Sequence, residues 1–446
     1  MNPLRALALV AFLPAAALAQ QPEQAPPPPP PPADAPPAPE TPAPAPEAAP
    51  APASGPSVED RITAVEGKLE GMEESSAATN ATVDALKKIK VSGYIQGRYE
   101  WHDSAAAGFD ATAAKNSRFL VRRGRLKTVY QGHFSEYMLQ IDATPDGVTL
   151  KDAEASLVLD ETVFPSPTPW ELKLTLGQFK APFGYEVIQS SGDREMPERT
   201  LMIRTFFPGE RDRGVRLGFK YGVLRFAGAI INGNVFPALA AENKNPIVGS
   251  IDTSSYKDVL GRLGADLGFL VIGASGYFGH TIASTAASGM TPASYTRYSR
   301  VRVGGDAQAY VDVPAVGGLV LRAEVIYGVE KNLDYAGATA DPCRDIKSLG
   351  WYATVVQNIG DHFGFVFRAD QFDKNSGVKT AGAMGCMTQM SAASLDKVTT
   401  LGGGLLGYVS GNLKASAIYE HLMEQGVKGK NKVDNDIFTL QLQAKF

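Results

Sequence analysis

Between Lys88 and Phe446 the chain repeats one pattern that leaves little choice of fold: short stretches in which apolar and polar residues alternate. In the first stretch Val91, Ile95, Tyr99 and Trp101 fall on one face, and Ser92, Tyr94, Gln96, Arg98 and Glu100 on the other. A period of two marks a strand with two unlike faces. The alternation predicts strands at 89–102, 118–131, 135–143, 148–158, 170–179, 212–220, 223–232 and 258–267. It continues with strands at 268–279, 300–312, 318–328, 347–357, 363–372, 397–409, 412–423 and 434–446. The connections alternate too. Odd ones are long or variable, even ones mostly short, with the Pro-rich 159–169 as the exception. A soluble sandwich has no reason for such parity, whereas a membrane barrel has an even strand number, long loops on one side and short turns on the other. Leu172, Leu174 and Leu176 alternate with Lys173 and Thr175, and Phe363, Phe365 and Phe367 oppose Arg368 and Asp370. The polar face must be wet, so it lines a lumen. The expected fold is all-β, a sixteen-stranded antiparallel transmembrane β-barrel over 88–446.

The charge balance excludes other classes. The chain has 43 basic and 47 acidic residues, net −4, without the basic domain of a nucleic-acid binder. Two Cys and five His, with no H-E-x-x-H, leave no zinc cluster or zincin. No metal or cofactor is expected. No run of 18 apolar residues offers a spanning helix. G-x-S-x-G is absent, and His102, His133, His280, His362 and His421 fall near strand ends or turns, so no enzyme is expected.

The N-terminal part is a different object. Arg5, the apolar Leu7–Leu18 and Ala17-Leu18-Ala19 read as a signal peptide over 1–19. Residues 20–56 follow as a Pro-rich arm, with 17 of the 31 prolines between 21 and 56. Such a segment cannot bury a core and stays in extended polyproline II, a semi-rigid spacer of about 3.1 Å per residue. Residues 57–87 form a helix opened by Ser57, with Val58, Ile62, Val65, Leu69 and Met72 at the spacing of a short coiled-coil seam. Polar Ser76 and Thr79 weaken it before Val83 and Leu86. The seam makes sense when several copies are held together; the alternative is one amphipathic helix lying on a domain. Residues 21–87 carry 3 basic and 11 acidic residues, against 39 and 36 over 88–446.

Two features bear on the lumen. Segment 180–211 carries aromatic and apolar residues that a solvated loop would avoid, so it is expected to fold inward and narrow the pore. Its charges balance: Lys180, Arg194, Arg199, Arg204 and Arg211 face Glu186, Asp193, Glu195, Glu198 and Glu210. On the second strand Arg123, Arg125 and Lys127 alternate on the inward face, about 7 Å apart. Like charges so placed repel unless anions or acids neutralise them. They form either an anion track or a salt-bridged wall with Asp142, Asp152 and Glu154 as partners. Arg216 is also expected to face the lumen.

Gly177-Gln-Phe-Lys180-Ala-Pro-Phe-Gly184-Tyr-Glu186 is similar to the G-x-x-K-x-P-F-G-x-E segment of phosphate- and polyphosphate-selective porins, the O and P type. Phe207-Pro-Gly-Glu-Arg-Asp-Arg-Gly214 resembles the segment by which that family re-enters the barrel wall, and Phe119–Arg125 its Arg-rich second strand. Terminal Phe446, on one face with Phe438, Leu440, Leu442 and Ala444, resembles the assembly signal of bacterial outer-membrane barrels. The resemblance implies a homotrimeric porin with an inward third loop and a lumen whose Arg and Lys draw in small anions. Lys180 lies in its motif.

The functional expectation is passive diffusion of small, phosphate-like anions across a bacterial outer membrane, with Arg123, Arg125, Lys127, Lys180, Arg204, Arg211 and Arg216 along the path. The alternative is a structural anchor in outer-membrane lipid, whose trimeric coiled coil and periplasmic Pro-rich arm reach the cell wall and its peptidoglycan. Strand parity also puts Cys343 and Cys386 in consecutive outer loops whose bases are neighbours. In an oxidising compartment they are expected to form a disulfide.

Overall fold

The computed structural model describes residues 58–103, 116–233, 256–285, 294–331, 345–374, 376, 397–425 and 435–446. The signal peptide, the Pro-rich arm, Cys343 and Cys386 lie outside the described residues.

Helix α1 spans Val58–Lys87. Ile62, Val65, Leu69, Met72, Val83 and Leu86 on it are all exposed in the single chain. Local bonds support the helix, Thr79 Oγ1 to Ser75 O at 2.8 Å and Lys87 Nζ to Asp84 Oδ1 at 2.8 Å, but none of them covers the apolar seam.

The barrel begins with β1 (Ile89–His102), β2 (Asn116–Gln131), β3 (Ser135–Thr144) and β4 (Gly147–Asp160). It continues with β5 (Trp170–Lys180), β6 (Arg211–Tyr221), β7 (Leu224–Ile231) and β8 (Asp258–Asp266). The second half is β9 (Leu270–Thr285), β10 (Ser294–Val313), β11 (Gly317–Glu330) and β12 (Ile346–Ile359). β13 (Phe363–Asp373), β14 (Lys397–Ser410), β15 (Leu413–Gln425) and β16 (Ile437–Lys445) complete it. Each strand pairs antiparallel with the next, and β16 pairs with β1 to close the ring of sixteen. Arg98 stands opposite Gln441 and Tyr99 opposite Leu440, and Gly93 and Phe446 exchange backbone hydrogen bonds at 2.9 and 3.0 Å.

The two faces follow the alternation. Leu174 and Leu176 are exposed on the outer face while Thr175 between them is fully buried. Phe363, Phe365 and Phe367 point out, and Arg368 and Asp370 are buried inside. Polar Thr439, Gln441 and Gln443 of β16 are buried, while Leu440, Leu442 and Phe446 are exposed. An exposed apolar band outside and buried charges inside is the inverse of a soluble protein, and it suits a barrel in lipid.

The structure corrects the sequence reading in detail. β9 runs on to Thr285 and β10 starts at Ser294, inside what the sequence gives as the loop 280–299. This extension is rich in Thr, Ser and Tyr and has no apolar stripe to read, yet such residues pair well in a ladder. Lys180 and Arg211 are strand ends paired with each other, so the inward segment proper is 181–210. Register irregularities break the period of two in three places among the described residues, one of them at Tyr408/Ser410 near the end of β14. In β2, Arg123 pairs with Gln96 but Val121 pairs with Gly97, which leaves Arg122 as the extra residue. In β4, Asp152 pairs with Gln140 but Leu150 with Ile141, which leaves Lys151 as the extra residue.

Candidate solute pathway in the lumen

The segment between β5 and β6 is held by its own sequence. Gly184 sits at φ +58°, and a Cβ there would come within 1.9 Å of Glu324 Oε1, so no side chain fits. The Glu324 carboxylate accepts from the backbone N–H of Glu186 at 3.0 Å and of Tyr185 at 3.3 Å, and from the Tyr352 hydroxyl at 3.2 Å. Further on, Thr200 caps helix α2 (Leu201–Phe206), accepting from Ile203 N at 3.4 Å while its hydroxyl donates to Glu186 Oε2 at 2.6 Å.

One side of the segment is apolar. Phe183, Val187, Met202, Ile203, Phe206 and Phe207 are buried in one cluster with Ile231, Leu260, Tyr277, Ile326, Ile346, Tyr352 and Phe372 of the wall. Burial of each such side chain is worth about 1.5–3 kcal/mol, so the six together hold the segment against the β7–β13 half of the lumen. Gly350 permits the approach, because a Cβ there would meet the Met202 side chain at 2.6 Å. Arg302 completes the seam. Its guanidinium donates to the Phe206 carbonyl, pairs with Glu330 at 3.1 Å and lies about 5 Å from the rings of Phe206, Phe207 and Tyr277.

The cations of that half have acids of their own. Arg300 pairs with Asp258 at 3.3 Å, Arg262 with Asp306 at 2.5 Å, Arg322 with Glu195 at 2.6 Å and Arg368 with Glu420 at 2.9 Å. The β1–β6 side is different, and there the segment presents its polar edge.

Three cavities follow one another along that side, each sharing residues with the next. The first, about 410 Å³ at the long-loop end, lies between Arg98, Glu100, Arg118 and Arg122 on one side and Arg368, Asp370 and Glu420 on the other. It shares Arg122, Glu198 and Arg204 with the second, of about 300 Å³. The second shares Arg125 and Arg211 with the third, about 570 Å³, which reaches Ser92, Lys445 and Phe446 at the short-turn end. The smallest cavity carries the strongest charge. The wall gives it Arg122, Arg123, Arg125 and Lys151; the inward segment and β6 give it Arg199, Arg204, Arg211 and Arg213. Against these eight stand Asp142, Glu198 and Glu210.

The seven residues singled out from the sequence all line these cavities. Arg123 and Arg204 line the second, Lys127, Lys180 and Arg216 the third, and Arg125 and Arg211 both. Their partners differ. Arg125 meets Asp142 at 3.3 Å and Ser191 Oγ at 2.6 Å. Arg211 holds Asp152 at 2.8 and 3.0 Å, and Arg216 holds Glu154 at 2.6 Å while lying 4.7 Å from the Phe179 ring. Lys180 Nζ donates to the carbonyls of Ile188 at 3.0 Å and Gln189 at 2.7 Å. Arg204 Nε donates to Arg199 O at 3.1 Å. The wall acids therefore pair with Arg125, Arg211 and Arg216, and among the described residues none lies within 4 Å of Arg123 or Lys127.

Sequence reasoning missed Arg122, Lys151 and the role of Glu198. Strict alternation would turn Arg122 and Lys151 to lipid; the bulges bring them to the lumen beside Arg123 and Asp152. Two adjacent charges on a strand that otherwise alternates are the signal that could have located each bulge, since a bulge re-aims a side chain. Glu198 comes from the inward segment. Its carboxylate lies 2.7 Å from Arg122 Nε, 2.9 Å from Arg98 Nη1 and 3.7 Å from Arg123 Nη2. Burial works against its charge, yet Arg122, Arg123, Arg98 and Arg194 hold the Glu198 carboxyl well below the usual carboxylate range.

The family model for phosphate-selective porin O and P matches residues 94–238. The match spans β1 to β7, and with them the inward segment and every charged residue of the smallest cavity. The porin motifs at Gly177–Glu186 and Phe207–Gly214 fall inside it, so the resemblance seen in the sequence is borne out. Among solved structures, the outer membrane channel DcaP of Acinetobacter baumannii is similar at 11% identity, with 80% of this chain and 97% of that chain covered and a TM-score of 0.53. OprB of Pseudomonas putida is similar at 10% identity, with 82% and 96% covered and a TM-score of 0.52. Likeness at that identity concerns the fold. No curated protein matches the chain. The sixteen-stranded barrel has the fold of these solved structures, and its residues 94–238 match the porin family model.

Proposed function

We propose that the chain is an outer-membrane porin through which small anions of the phosphate class diffuse passively. The observation that carries this reading is the smallest of the three cavities, lined by eight basic residues against three acids. A confined passage with low-dielectric walls focuses the field of its lining charges, so cations are repelled and anions concentrated. Arg123, Arg125, Lys127, Lys180, Arg204, Arg211 and Arg216 are its pathway residues, and Arg122 and Lys151 join them. The match to a phosphate-selective family over this region supports the solute class. The test is the reversal potential of single channels in a potassium chloride gradient, followed by competition with inorganic phosphate. Anion preference and phosphate-dependent reduction of the chloride current are expected; cation preference would overturn the reading.

A second role is compatible with the first. The exposed seam of α1 suits association with other copies of this chain, so three barrels side by side in outer-membrane lipid would bring three weak helices together at high effective concentration. The Pro-rich arm, in the periplasm, would then extend toward peptidoglycan. A peptide of residues 57–87 should be largely unfolded alone by circular dichroism, while the full chain purifies as a trimer. A monomeric full chain would remove this role and leave conduction untouched.

A further inference from the structure

Glu198 is the only acid within 4 Å of Arg122 or Arg123 among the described residues. Asp142 and Glu210, the other acids of the smallest cavity, already pair with Arg125, Arg199 and Arg211. The backbone fixes Glu198 from both sides of the lumen: Arg98 Nη2 donates to Pro197 O at 3.1 Å, and Arg368 Nη1 to Glu198 O at 2.8 Å. Even so the carboxylate does not exhaust the donors around it. Nε and Nη1 of buried Arg123, and all three side-chain nitrogens of buried Arg194, have no hydrogen-bond partner among the described residues. Arg194 lies close enough to Arg123 and Glu198 to feel both charges.

We propose that Glu198 is a built-in counter-anion that stops the arginine cavity from trapping what it attracts, and that it thereby discriminates among anions by charge. This rests on the anion-conducting reading above. A passing anion is drawn by the guanidinium charges that line the cavity, Arg122 and Arg123 among them, and pushed by the fixed carboxylate beside them. Conduction needs binding strong enough to admit a solute and weak enough to release it. Without Glu198 the same cavity would hold Arg122 and Arg123 with no carboxylate within 4 Å of either among the described residues, and an anion entering it would replace the missing acid and stay. The repulsion scales with solute charge, so Glu198 weakens a phosphate dianion more than chloride.

The experiment is the titration of single-channel chloride current with inorganic phosphate, in the full-length chain and in Glu198→Gln. The half-blocking phosphate concentration should fall about tenfold or more in Glu198→Gln, a change of about 1.4 kcal/mol. Phosphate dwell times should lengthen and chloride affinity change less. Glu198→Asp, which keeps the charge, should restore the weak block. If the amide is not accommodated, Glu198→Ser removes the same charge and leaves room for water among the guanidinium groups, with the same expectation. Cation preference in the unaltered chain would overturn the anion-conducting reading itself. Anion preference with an unchanged half-blocking concentration in the neutral variants would leave that reading standing and overturn this one, reducing Glu198 to a structural tie.

Discussion

Arg211 grips Asp152 with two parallel hydrogen bonds, Nε to Oδ1 at 2.8 Å and Nη2 to Oδ2 at 3.0 Å. The pair ties the end of the inward segment to β4 across the wall, and Arg211 stands where the second and third cavities meet. A planar fork on a carboxylate fixes orientation as well as charge.

Asp152→Asn removes the charge from this pair and leaves buried Arg211 with Glu210, at 3.0 Å, as its remaining carboxylate. Breaking such a pair from one side costs about 3–5 kcal/mol. The end of the segment should loosen, seen as flickering single-channel current, and the reversal potential should move further toward that of an anion channel. A quiet trace with an unmoved reversal potential would show that the pair serves neither anchoring nor selectivity.

Arg123, Arg125 and Lys127 supply three of the charges along the second and third cavities of the path. Their joint replacement by Glu should carry selectivity toward cations. Arg123→Glu alone should account for more of the shift than Arg125→Glu, because Asp142 already offsets Arg125. Equal reversal potentials before and after the triple change would put this row outside the conducting path.

Gly184→Ala strains both backbone and packing. The left-handed conformation costs an ordinary residue about 1–2 kcal/mol. The added methyl also meets the Glu324 carboxylate that holds the loop. The inward segment should detach at its first turn, with a larger conductance and a lower unfolding temperature of the extracted barrel. In Gly184→Ala/Glu324→Ala the clash is gone but so is the anchor, so conductance should stay high. Normal conductance in both would mean that the aromatic cluster alone positions the segment.

Cys343 and Cys386 should be bridged, restraining two outer loops and closing about 43 residues, nominally worth roughly 4 kcal/mol. Non-reducing mass spectrometry of a proteolytic digest should yield the two Cys peptides as one linked species. Labelling of both thiols by a maleimide without reductant would rule the bridge out.

What could be read from the sequence was set by solvent on two sides. Where lipid meets one face of a strand and water the other, Leu174, Thr175 and Leu176 must alternate, and the ring of sixteen follows. The aromatic content of 180–211 was legible for the same reason, since Phe183 and Phe206 need an apolar partner wherever they lie. The bulges were hidden because one extra residue inverts parity while leaving every residue type plausible. The position of Glu198 was hidden because it depends on how far the segment reaches across the lumen, which Glu324, Thr200 and the aromatic cluster decide together. The outer part of the β9–β10 hairpin was hidden because neither of its faces is a continuous apolar stripe.

Every barrel pairing except one joins strands adjacent in the chain; β1 with β16 is the exception, bringing Tyr94 against Lys445. Until that seam forms, the sheet has two free margins of unpaired N–H and C=O groups, which hydrocarbon cannot solvate and which another chain could pair with. The seam is also the contact of greatest loop-closure entropy, and so the slowest to reward its own formation. A barrel of this kind therefore passes through a state that neither water nor lipid tolerates well, and its assembly in a cell depends on something that shields both margins until they meet.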